Sequence, residues 1–430
     1  MSSRSKSVVA LCLLAALTLW GASVSWLNAR WLPMYNDLDF RYNEILCSHK
    51  GVDPYLVWDR KTTVNGEFVS IFRPDIDSED EEVVDTGALK VHAYPAWHTT
   101  FFWWYAWLPR GVCRWLMILF CCGVFVASFA YMYKNCLPGA MPPGNRAMLV
   151  GLCFLASASA WGYQMRVLNY SVLMLLLVLL VVESLRRGHD VLCGLCMALM
   201  MIKPHIALLF FWPMLFAGRY KAILTAAVVC SLAVLWPAYV YGCSPIDLVA
   251  EIFKIGGPYV LRYKQPIFRL ARLVFGQEHA IVGQMAAGFV ACGVLSWLMR
   301  GARSWFLRFL PAMVIFPLWS YFRPYDFVME VCWCFVIGVI AAHCGREEPL
   351  RRYGWMFRWS FAAFLAASVL QIAFDTMTYF GCIADDWRLL HKSVFFVASL
   401  SAVAVTAVAT RIVPLLNASL VEFGDLRDRR

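Results

Sequence analysis

Charge is scarce in this chain. Asp, Glu, Lys and Arg make up 15% of its 430 residues, where a soluble globular protein carries about 25%. Sustained apolar–polar alternation is missing too, which excludes a membrane β-barrel. None of the 16 cysteines forms a pair that stands out as a metal site; most lie in apolar segments, where a thiol behaves as a small hydrophobe. No internal repeat is visible, so the inverted-repeat pattern of many transporters is absent. Soluble domains are absent as well. The net charge of +10 comes from short basic clusters between apolar runs, which points to anionic lipid headgroups as partner and not to nucleic acid.

What is present is grease: 61% of residues are apolar and 16% aromatic. Windows long enough to cross a bilayer, about 20 residues as helix, recur along the whole length. The expected fold is therefore an all-α polytopic membrane protein of about twelve transmembrane helices with a large first extracytoplasmic loop. The first helix is expected at 8–27, uncleaved, with Arg4 and Lys6 on the cytoplasmic side. Residues 29–111 form the outer loop, 112–411 the remaining helices and 412–430 a cytoplasmic tail. Arg186/Arg187, Arg219/Lys221, Arg300/Arg303/Arg308 and Arg351/Arg352 all fall on one side in this scheme, placing both termini in the cytoplasm of a cell-membrane protein.

Inside the first loop, Asn65-Gly66 between β-formers is a hairpin signal. Seven acids between Asp75 and Asp85 lack the spacing and central glycine of a calcium loop and read as a solvated strip. Tyr94–Leu108, bounded by Pro95 and Pro109, reads as a re-entrant or interfacial helix; His92 and His98 flank it without the spacing of a zinc pair.

The polar residues that interrupt apolar sequence are the candidates for chemistry. Asp37 and Asp39 stand at the mouth of the first helix, either as a carboxylate pair or as a helix cap. Lys203 interrupts two short apolar stretches, where a cation costs about 2.5–3.5 kcal/mol and calls for an anionic partner, unless it snorkels to the headgroups. Gln164 and Arg166 mark another such turn, and Arg323 and Asp326 are spaced to pair with each other.

Taken together these segments resemble glycosyltransferase family 87, of the GT-C superfamily. The resemblance is carried by Asp39-Phe40, Tyr42, Gly51, Pro54-Tyr55 and Tyr94-Pro95, then by Gln164, Asn169, Arg186–Gly188, Gly194 and Lys203-Pro204. It continues in the 263–276 stretch with Lys264-Gln265 and Arg269, and at 316–329; Ala96 and Lys264 depart from the family pattern. Asp37-Leu38-Asp39 is also similar to the luminal motif of the GPI-anchor mannosyltransferases. The resemblance implies transfer of a hexose, mannose-like, from a polyprenyl-phosphate carrier to a lipid or glycan acceptor on the extracytoplasmic face, inverting, with no metal or other cofactor. The residues themselves add a carboxylate general base from this pair, Asp39 with Asp37 as neighbour or the two in exchanged roles. Lys203, His205, Lys264, Arg269 and Arg323 would meet the donor phosphate, and Tyr42, Tyr55, Tyr94, Gln164, Asn169 and Gln265 the substrates. The competing class is a multi-pass transporter or lipid-carrier flippase, which predicts helices broken near the midplane with charges inside the membrane.

Overall fold

The computed structural model describes residues 3–28, 37–49, 63–64, 67–68, 95, 97–135, 143–250, 266–319, 324–344, 350–380 and 387–419. Apart from one short ladder, the regular structure in these residues is helical. Apolar side chains without alternation leave the backbone only itself to bond within lipid, and helices are the solution. Helix α1 spans Ser3–Asn28 and α2 Asp37–His49. Thr63–Val64 then pairs antiparallel with Glu67–Phe68, with Thr63 opposite Phe68. The stretch read as one re-entrant helix is instead a four-residue helix, α3, His98–Phe101, followed by a 3-10 turn at Trp103–Trp107.

The rest of the bundle is α4 (Arg110–Asn135), α5 (Pro143–Ala156), α6 (Ala158–Val167), α7 (Ser171–Arg186), α8 (Asp190–Met200), α9 (Pro204–Phe216), α10 (Tyr220–Tyr241), α11 (Pro266–Leu298), α12 (Trp305–Trp319), α13 (Glu330–Cys344), α14 (Arg351–Tyr379) and α15 (Trp387–Ser419). A second 3-10 turn, Pro324–Met329, precedes α13. Helix α15 runs past the expected boundary at 411, and α11 breaks at Gly276, whose φ of 77° is open to glycine but disfavoured for other residues.

Among the described residues, five helices are long and apolar enough to cross a membrane: those at 8–27, 110–134, 220–241, 351–379 and 396–417. A sixth span arises if α5 and α6, bent by 53° at their junction, count as one. The expected twelve full spans are therefore not established. Helices α8, α9, α12 and α13 are apolar but short, and two of them are short for a reason legible in the residues. Lys203 precedes a proline, which pushes it out of the helical region to φ −117°, ψ 79°. Pro204 then restarts the chain at the first position of α9, where its missing N–H costs nothing.

One end of the bundle is basic. Glu183 takes Arg186 at 3.0 Å and Arg187 at 2.6 Å, and accepts the Tyr131 hydroxyl at 2.8 Å. Asp190 faces Arg219 at 3.3 Å, Arg219 and Arg308 both lie over Trp305, and the Arg303 N–H donates to Asn417 at 2.9 Å. The interhelical turns carrying these arginines thus share one end, as a cytoplasmic face would require. A reporter fused after Arg430 and one inserted between 60 and 80 should therefore report opposite sides of the membrane; the same side for both would remove the outer face from consideration as a reaction site.

Candidate active site

Helix α8 has 11 residues, a rise of about 16 Å, against a hydrocarbon thickness of about 30 Å. Measured from the basic end, the Lys203 break therefore lies well inside the bundle. Its partner helix α10 has 22 residues and rises above that level. Irregular backbone at such depth is tolerated only where protein surrounds it, and three irregular segments meet here: 168–170, 201–203 and 324–329.

Their side chains form one network. Lys203 is 1% exposed and its Nζ donates to Asp326 Oδ1 and to Ser171 Oγ, both at 2.6 Å. Asp326 is fully buried in the 3-10 turn ahead of α13. Its Oδ1 takes hydrogen bonds from the Lys203 ammonium and the Ser171 hydroxyl, the partners that a buried carboxylate needs. The Ser171 hydroxyl has a single proton to share between Asp326 and Asn169 Oδ1. Asn169 Oδ1 also accepts the Ser171 backbone N–H at 3.0 Å, closing the start of α7. Gln164 Nε2 donates to the Asn169 carbonyl. Between them Leu168 sits at φ 54°, ψ 47°, the one left-handed non-glycine among the described residues. Such a conformation in a branched apolar residue costs about 1–3 kcal/mol and persists where its surroundings impose it.

The wall above this network comes from the first loop. Trp97 Nε1 donates to the Met201 carbonyl at 3.1 Å, Thr100 Oγ1 to the Ala233 carbonyl at 2.8 Å, and Phe102 stacks on Tyr170 with centroids 4.5 Å apart. Helix α2 joins the same wall: His49 stacks on Trp103 at 3.7 Å and Ser48 hydrogen-bonds the Tyr241 hydroxyl. Tyr42 donates to the Leu108 carbonyl at 2.8 Å, with Arg110 over its ring.

Of the residues singled out in the sequence, Lys203, Gln164 and Asn169 thus converge on one buried site. His205 lies in the first turn of α9, its carbonyl accepting the Trp319 indole N–H. Tyr42 lies in the wall. Asp37 and Asp39 stand in the first turn of α2, but their side chains, like that of Arg269, lie outside the described residues. Tyr55, Tyr94, Lys264, Gln265 and Arg323 lie outside them altogether. Sequence reasoning missed Ser171 as a partner and considered Asp326 beside Arg323, which lies outside the described residues; the structure brings Asp326 to Lys203. The signal was there, since a lysine in an apolar run needs an anion, but nothing local says which of the chain's acids it reaches across 123 residues.

The architecture is that of a polytopic helical membrane protein with a buried polar site beneath a roof drawn from its first loop. The sequence profile of glycosyltransferase family 87 matches residues 92–256, in line with the resemblance. That span holds Gln164, Asn169, Ser171 and Lys203; Asp37, Asp39 and Asp326 fall outside it. No curated protein and no solved structure matches the chain. The match supports a membrane glycosyltransferase acting between a sugar donor and an acceptor.

Removing one member of a buried ion pair costs about 3–5 kcal/mol, whereas replacing both by apolar groups is often neutral. Lys203→Met and Asp326→Leu should each lower the thermal midpoint in detergent sharply, and the double variant should recover most of the loss. Additive losses would show that the two side chains do not act as a pair.

Proposed function

We propose that this protein transfers a mannose-like hexose from a polyprenyl-phosphate carrier to a lipid or glycan acceptor at the end of the bundle opposite the arginines. The acceptor hydroxyl gives its proton to Asp39, with Asp37 as neighbour. Its oxygen forms the new bond to the anomeric carbon from the face opposite the carrier. The bond from that carbon to the phosphate oxygen breaks, and its electron pair leaves on the polyprenyl phosphate, so configuration inverts. Lys203, His205, Lys264, Arg269 and Arg323 receive the phosphate charge in a low-dielectric setting; with Asp326 as its counter-ion, Lys203 contributes its hydrogen bonds and a local field more than a full net charge. The leaving group is a monophosphate, and the reading assigns no metal.

The observation that carries this reading is the fully buried Lys203 within the family-87 segment, under a wall that includes the helix bearing the two acids. A second reading also has support. The α8–α9 break, the 53° bend at α5–α6 and the buried Lys203–Asp326 pair are what a transporter or lipid-carrier flippase would use. Purified protein given a polyprenyl-phosphate hexose and an acceptor separates the two: new glycosidic bonds favour transfer, and carrier movement across a vesicle without product favours transport.

A carboxylate base contributes about 10²–10⁴-fold, while asparagine caps helices as well as aspartate does. Asp39→Asn should therefore leave the protein folded and donor-binding but slow turnover at least about 10²-fold, and Asp37→Asn should do less. Near-normal activity in both variants and in their combination would remove this pair as the base.

A further inference from the structure

One buried cluster of charge has no part in that scheme. Arg41, Glu44 and His98 are 4%, 1% and 0% exposed. Arg41 Nη1 lies 2.6 Å from one Glu44 oxygen and donates to the other at 2.7 Å, both residues being in α2. His98 comes from a separate segment. Its Nδ1–H donates to the Pro95 carbonyl at 2.9 Å. Its Nε2 stands 3.1 Å from Glu44 Oε2, a contact that is an ion pair when the ring carries a proton on both nitrogens. Ser48, one turn on, donates to the Glu44 carbonyl at 3.0 Å.

The segment that carries His98 is held to the Lys203 site from both sides. Trp97 is bonded to Met201, two residues before Lys203, and Phe102 stacks on Tyr170, next to Ser171. Glu44 is therefore where α2 is gripped by the scaffold of the site. Rotation is what such a grip controls. Positions 37, 41, 44 and 48 recur at helical spacing along one stripe of α2. Position 39 lies about 200° round from 37, at about 100° per residue. A small rotation of α2 thus moves its two acid-bearing positions in opposite directions across the helix, and a misplacement of about 1 Å can lower a rate about 10²-fold. Apolar packing alone, from Leu38, Tyr42 and Ile45, tolerates rotation more readily than a charged contact of fixed geometry.

We propose that Glu44 is a positioning residue: held in place by Arg41 of its own helix, it meets His98 of the neighbouring segment, and that contact sets the rotation of α2 and holds the Asp37–Asp39 turn in register with the Lys203 site. The inference rests on the glycosyltransferase reading, with those acids at the reaction centre.

The test uses the full-length protein in detergent with polyprenyl-phosphate mannose as probe donor. Glu44→Gln preserves shape and removes charge, and should lower kcat at least about 10-fold while KM for the donor stays within about twofold. His98→Asn keeps a donor for the Pro95 carbonyl and removes only the Nε2 side; it reaches the same contact from the other segment and should give a similar loss. In an Asp39→Asn background, Glu44→Gln should add little further loss, because a group that acts through the base has nothing left to position. Unchanged kcat in both single variants, a loss confined to KM or to folded yield, or a fully additive loss in the double variant would each overturn the proposal. Absence of turnover by the unmodified protein would overturn the transferase reading itself, and this inference with it.

Discussion

The contact between Lys203 and Asp326 is the constraint around which the rest is arranged. Neither charge could sit at that depth alone, because desolvating an ion costs several kcal/mol that only a close partner and further hydrogen bonds offset. Each requirement has a structural answer here. Pro204 breaks the chain so that Lys203 leaves the helix at the right level. The 3-10 turn at 324–329 brings Asp326 to it, and the left-handed Leu168 bends the third segment so that Asn169 and Ser171 can join. The short helices α8, α9 and α13 are the geometric consequence of sinking polar backbone into a greasy bundle.

A sunken polar site needs a cover, and the first loop supplies one. Its indole, hydroxyl and aromatic contacts with Met201, Ala233 and Tyr170 fasten the 97–102 segment to the same backbone that carries the network. The Arg41–Glu44–His98 cluster joins α2 to that segment. Bundle, buried pair, cover and acid-bearing helix are thus linked by a chain of direct contacts, with the arginine-rich turns at the opposite end.

The proposed transfer from a lipid-borne donor would use this arrangement. In that proposal the carrier's chain lies in hydrocarbon, its phosphate meets cations under low dielectric, and the acceptor hydroxyl meets a carboxylate that water does not swamp. A site roofed by the first loop would present all of these at once. The family-87 match over 92–256 covers the lysine, Asn169 and Ser171, while the turn that carries Asp326 lies beyond it.

The residues by themselves determined the helical membrane class, because apolar runs without alternation leave the backbone no other way to satisfy its hydrogen bonds. They also determined where the first span lies: the apolar part of α1 runs over 8–27, the bounds read from hydropathy. The gathering of arginines at one end and the break at Lys203-Pro204 were equally legible, since charge between apolar runs and the steric demand of proline are local properties. Only the tertiary structure decided which acid answers Lys203, that Ser171 mediates between Asn169 and Asp326, that residues 98–107 fold as two short turns over the site, and that His98 meets Glu44. Those choices join residues tens to more than a hundred positions apart, and any of several acids would satisfy the same local need. Helix packing, by setting which polar groups share a depth and a face, made the selection.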